Sequence, residues 1–78
     1  MTQFAAGRNP EGLVAGSDGN LWFTEHDGRF GRVTPQGIVT EFRTGLTEGA
    51  AGIATGPDGN LWFTEKGNRI GRFTVPRT

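Results

Sequence analysis

The chain contains its own copy: Gly16 to Thr34 aligns without a gap with Gly56 to Thr74, and 13 of those 19 positions are identical. The shared word is DGNLWFTE, at Asp18 to Glu25 and again at Asp58 to Glu65, followed in each copy by Arg29/Arg69, Gly31/Gly71 and Arg32/Arg72. A period of roughly 40 residues belongs to repeating units that bury their apolar faces only against one another, built either from small sheets or from helix pairs. Local pattern decides between the two.

The pattern is that of strands. Leu13-Val14-Ala15 and Ile53-Ala54-Thr55 are short apolar runs, ended by Gly16-Ser17-Asp18-Gly19 and Gly56-Pro57-Asp58-Gly59, and the Asp-Gly pair marks a hairpin turn. Leu21-Trp22-Phe23-Thr24 and its copy at 61–64 supply aromatic and β-branched second strands. Asp27-Gly28 and Gly67-Asn68 turn the chain into third strands, Phe30 to Val33 and Ile70 to Phe73, and Pro35-Gln36-Gly37 turns it into an alternating outer strand, Ile38 to Phe42. Four antiparallel strands within one such period make one blade of a β-propeller. The expected fold is all-β, with two blades forming a single unit over 1–78: a full blade at 12–43 and three strands of a second at 52–76. Leu21 and Phe23 fall on one face of the second strand and Trp22 on the other, as suits a sheet sandwiched between neighbours.

Length decides what such a unit needs. At 78 residues a domain buries a small fraction of its surface and usually requires disulfides, a metal or oligomerisation. There is no Cys and one His, which leaves oligomerisation. Met1-Thr2-Gln3-Phe4 echoes Val39-Thr40-Glu41-Phe42, so residues 1–6 are expected to form an outer strand completing the last blade of a neighbouring chain, with Thr2, Phe4, Ile70 and Phe73 at the closure. That head-to-tail contact closes into a ring. A homotetramer of eight blades is favoured, a homotrimer of six the alternative. Eight basic and eight acidic residues balance, so neither nucleic acid nor an anionic membrane is an expected partner. No apolar run approaches the roughly 20 residues of a membrane helix, and Met1-Thr2-Gln3 does not open a signal peptide, so a soluble chain is expected.

Few residues offer chemistry. Glu25 and Glu65 end the second strands, and repeated around a ring they would form a circle of carboxylates able to hold Mg²⁺ or Ca²⁺; the simpler expectation is that they pair with Arg29, Arg32, Arg69 or Arg72. His26, beside Glu25, is a candidate general base, but its counterpart is Lys66, the mark of an exposed turn. Asp18-Gly19-Asn20 and Asp58-Gly59-Asn60 lack the rest of a calcium loop and read as Asx turns. Gly28-Arg29-Phe30-Gly31 lacks the ending of a phosphate loop. Trp22, Phe23, Trp62 and Phe63 read as core of the repeat rather than as a ligand platform. No cofactor is expected.

The stretches GPDGNLWFTE (Gly56 to Glu65), IGRFT (Ile70 to Thr74) and RVTPQGIVTEF (Arg32 to Phe42) resemble the repeats of the streptogramin (virginiamycin B) lyase family and its lyase-like propeller relatives. The resemblance covers nearly the whole chain. It implies a propeller, seven-bladed in the family, and an activity that linearises a cyclic depsipeptide antibiotic by elimination, using a histidine base and a carboxylate-held Mg²⁺. Two departures weigh against carrying the activity over. Where family repeats often have Pro-His-Gly before the innermost strand, this chain has Pro10-Glu11-Gly12 and Ala50-Ala51-Gly52. Seven is also not a multiple of two, so a ring of these units needs another blade number. The expectation is therefore a self-assembling propeller unit with a structural role, set against a Mg²⁺-dependent lyase working in the assembled channel or a ligand-binding propeller module.

Overall fold

The computed structural model describes residues 1, 3, 10–44, 50, 52–65 and 69–76. Thr2 and Phe4, two of the four expected closure residues, lie outside the described residues. Among the described residues seven strands follow in chain order: β1 (Pro10–Ala15), β2 (Leu21–Glu25), β3 (Phe30–Val33), β4 (Val39–Phe42), β5 (Ile53–Thr55), β6 (Leu61–Glu65) and β7 (Arg69–Phe73). They form two antiparallel meanders, β1-β2-β3-β4 and β5-β6-β7. Among the described residues no helix is long and apolar enough to cross a membrane.

The turns follow from the repeated words. In each copy the Asp-Gly pair bends the chain between the first two strands, with Gly19 and Gly59 at φ 83° and 82°, where a side chain would be strained. The N–H groups of Gly16 and Gly56 donate to the carbonyls of Asn20 and Asn60, both at 2.8 Å, closing the two hairpins identically. Register is also shared: Trp22 lies opposite Arg32 and Phe23 opposite Gly31, as Trp62 lies opposite Arg72 and Phe63 opposite Gly71.

One face of the first sheet carries Val14, Trp22, Thr24, Phe30, Arg32 and Phe42, which are cross-strand partners or alternate along a strand. It packs on the face of the second sheet that carries Ile53, Leu61, Phe63 and Phe73. The contact is aromatic: Phe30 meets Phe63 edge-on at 4.9 Å and Phe73 at 5.0 Å, and Trp22 meets Phe73 at 5.6 Å. The inner strands β1 and β5 are joined by the Thr55 hydroxyl, which donates to the Ala15 carbonyl, and the adjoining turns by the Ser17 hydroxyl, which donates to the Gly59 carbonyl.

Burial splits the two copies according to this packing. Trp22 and Phe30 are fully buried, whereas their counterparts Trp62 and Ile70 are 37% and 72% exposed. On the opposite faces the order reverses, for Leu61 is fully buried and Leu21 is 43% exposed. One repeated word thus acquires two environments, and each blade offers outward the face that its partner uses inward. Phe23 and Glu25 depart from this, being buried on the otherwise open face of the first sheet.

Phe23 lies over Gly31, and Phe63 over Gly71; a Cβ on either glycine would collide with the ring. Phe23 is 2% exposed and cannot swing aside freely. Gly31→Val is therefore expected to cost about 1–3 kcal/mol through overpacking. Urea unfolding checks this, and a Gly31→Val chain as stable as wild type would mean that the ring relocates without loss.

Candidate functional site

Each sheet has two ends, and the polar residues divide between them. At the first end β1 begins and β2 terminates. Pro10 is registered opposite Glu25, with an irregularity between Pro10 and Gly12. That register brings Glu11 to the β2–β3 turn, where its Oε2 lies 3.5 Å from Nδ1 of His26. His26 is exposed, its side chain 74% accessible, so the imidazole sits on a solvated turn. Glu25 is fully buried and Glu65 half-buried. The hydroxyls of Thr24 and Thr64 accept the N–H groups of Gly12 at 3.0 Å and Gly52 at 2.9 Å, pinning the entry of each inner strand.

Three of the four arginines expected to pair with Glu25 or Glu65 reach other carboxylates. Arg32 shares a face with Trp22, and strand alternation places Glu25 on the other face. Arg32 reaches Asp18 at 3.7 Å, Arg72 reaches Asp58 at 3.4 Å, and Arg29 bridges Asp27 at 3.5 Å and Glu41 at 3.7 Å. Glu65 is registered opposite Arg69. Among the described residues no three His, Cys, Asp or Glu side chains converge as a metal site.

The second end is the more organised. Asp18 Oδ1 accepts the backbone N–H of Asn20 and the indole N–H of Trp22, both at 3.1 Å, and Oδ2 accepts the Asn20 amide at 3.1 Å. The guanidinium of Arg32 faces the same carboxylate and lies over the rings of Trp22 at 5.6 Å and Phe42 at 5.3 Å. Asp58 repeats the arrangement with Asn60, Trp62 and Arg72, the indole bond shortening to 2.9 Å. The Asx turn was legible in the sequence, but the convergence of indole and guanidinium on the same carboxylate was not. Its signal is the joint repetition of Asp, Trp four residues on and Arg fourteen residues on. Between the two carboxylate hubs runs a cleft of about 560 Å³, lined by Ser17, Asp18, Asp58, Asn60 and Val75 among others.

The hubs shift both acids downward. For Asp18 burial is the largest influence and acts upward, but the hydrogen bonds from Trp22 and Asn20 together outweigh it. For Asp58 the indole bond from Trp62 leads, followed by the Asn60 N–H, and the carboxyl is lowered to about 2. A carboxyl depressed on folding stabilises the native state above its ordinary pKa of 3.8, and that contribution is lost as pH falls through the folded value. Thermal stability is accordingly expected to fall as pH drops from 3.8 toward about 2, which melting curves at stepped pH would read. A melting temperature flat across that interval would contradict the hubs.

The model of the virginiamycin B lyase family matches residues 2–78. No curated protein matches the chain at a significant level. Among solved structures, virginiamycin B lyase from Staphylococcus aureus superposes with TM-score 0.68 at 35% identity, over 87% of this chain and 27% of that one. A catalytically inactive histidine-to-alanine form of the same lyase, with quinupristin, gives 0.71 at 34% identity over 95% and 29%. A streptogramin B lyase gives 0.70 at 26% identity over 96% and 30%. The chain therefore spans less than a third of the length of these β-propeller lyases.

Proposed function

Because the chain belongs to the virginiamycin B lyase family, we propose that it is a structural pair of propeller blades that assembles with copies of itself into a ring, without catalysis of its own. The observation that carries the proposal is the inversion of burial between the copies. The outward face of the second sheet, with Trp62 and Ile70, is the counterpart of the face that seats a blade within the chain. The outward face of the first sheet, with Leu13 and Leu21, is the counterpart of the face that is seated. Such faces fit head to tail, and a rotation repeated from copy to copy closes a ring. Eight blades from four chains change the angle between blades least from the family's seven, from about 51° to about 45°. The β7 edge, which pairs only with β6 among the described residues, is proposed to take the strand of residues 1–6 from a neighbouring copy.

Light scattering coupled to size exclusion tests the assembly. Four chains of 8.4 kDa give about 34 kDa and three about 25 kDa, and a folded species of 8.4 kDa at high concentration would sink the proposal. The competing lyase reading draws on the family and on the His26–Glu11 pair, the one place where a base and a carboxylate meet among the described residues. Against it stands Glu11, where the family's Pro-His-Gly would place histidine. Incubation with quinupristin and Mg²⁺, followed by mass spectrometry, separates the two: unchanged quinupristin is expected, and a linearised product would replace the structural reading with the enzymatic one.

A further inference from the structure

Resting on the reading that copies pack blade to blade, we infer that the seam between copies is the weaker of the two seams, so that the ring opens there and releases folded two-blade units. The inference comes from substituting each intrachain contact by its counterpart in the other copy of the repeat. Within the chain, the Thr55 hydroxyl donates to the Ala15 carbonyl. Between copies, the residue in the place of Thr55 is Ala15 of the next chain, which has no hydroxyl. The Ser17 hydroxyl donates to the Gly59 carbonyl within the chain. Its counterpart between copies is Pro57, which has neither hydroxyl nor N–H.

The aromatic contacts thin out in the same way. Phe73 is the centre of the intrachain seam, 5.6 Å from Trp22, 5.0 Å from Phe30 and 5.9 Å from Phe42. In the seam between copies Val33 takes the place of Phe73, and Ile70 that of Phe30. Where the larger ring is missing, the open face of the first sheet has an apolar hollow of about 320 Å³, bordered by Leu21, Val33 and Pro35. Trp62 of the preceding copy is the side chain that the repeat aims at this hollow. Across the facing sheets, two hydrogen bonds and the Phe73-centred ring cluster thus distinguish the seams in one direction, while the strand of residues 1–6 proposed to cross from copy to copy acts in the other and is what the dilution series weighs against them. The sequence keeps the building block cohesive and its assembly reversible.

The test restores the missing groups. Val33→Phe and Ala15→Thr, singly and together, are compared with wild type by sedimentation across a dilution series, with circular dichroism recorded on the same samples. Wild type is expected to dissociate on dilution to folded 8.4 kDa chains. Each substitution is expected to lower the concentration of half-dissociation by about tenfold, the equivalent of about 1.4 kcal/mol. Wild-type assembly that unfolds without first releasing folded chains overturns the inference, as does assembly that neither substitution tightens. A wild-type chain that remains a single chain at every concentration overturns the reading beneath it, and the two failures are told apart by the undiluted sample.

Discussion

Trp22→Ala is expected to leave most of the chain unfolded at 25 °C, while Trp62→Ala leaves the blade pair folded and abolishes its assembly. The two indoles occupy one position of the repeat and make the same bond to the same kind of carboxylate, at 3.1 Å and 2.9 Å. Their surroundings differ. Trp22 is fully buried against Phe42 at 5.2 Å and Phe73 at 5.6 Å, and so belongs to the cluster that joins the described parts of the two sheets. Truncating a buried tryptophan costs about 3–5 kcal/mol. A domain of this size has little more than that, since net stabilities begin at about 5 kcal/mol. Trp62 is more than a third exposed in the single chain, so its truncation removes less from the fold. In the proposed ring the same side chain enters the seam between copies. Circular dichroism of both variants, with light scattering on the folded one, gives the comparison. Equal destabilisation of the dilute single chains would mean that the two faces are not used as the burial pattern indicates.

The strands were legible because three local signals agree: Asp-Gly turns, aromatic and β-branched runs between them, and repetition of both from one copy to the next. Most strand edges moved by a residue at most, as with Ile38 falling just outside β4, but β1 begins at Pro10, three residues before the expected Leu13. What LWFTE could not announce is its environment. The word is mostly buried at 21–25 and alternates in burial at 61–65, since burial depends on which face another blade covers. Of the four arginines expected as partners for Glu25 or Glu65, Arg32 projects from the face opposite to Glu25, a matter of register rather than spacing. The approach of Glu11 to His26 was hidden for a related reason, because they are far apart in the chain and only the antiparallel pairing of β1 with β2 brings them together.

The same logic makes Asp18 the most sensitive polar residue, and Asp18→Ala is expected to destabilise the chain by about 1–3 kcal/mol, the cost of leaving a buried donor unmade. Among the described residues the indole N–H of Trp22 has no other acceptor, and the ring is closed in by Phe42, Phe73 and the Arg32 guanidinium. Arg32 already holds its Nε buried without a hydrogen-bond partner, so removing the carboxylate withdraws the charge that offsets a largely buried cation. Asp18→Asn divides these effects. An amide oxygen still accepts the indole N–H and the Asn20 N–H, but carries no charge for Arg32, so the asparagine variant should fall between alanine and wild type. It should also lose this carboxylate's share of the acid dependence below pH 3.8, leaving that of Asp58, which extends to about 2. Denaturant melts of the three chains at pH 7 and pH 3 give all the required differences. If Asn and Ala proved equally damaging, the charge facing Arg32 would outweigh the hydrogen bonds; if Asn matched wild type, the hydrogen bonds alone would hold the turn, and the guanidinium would owe its position to the rings of Trp22 and Phe42.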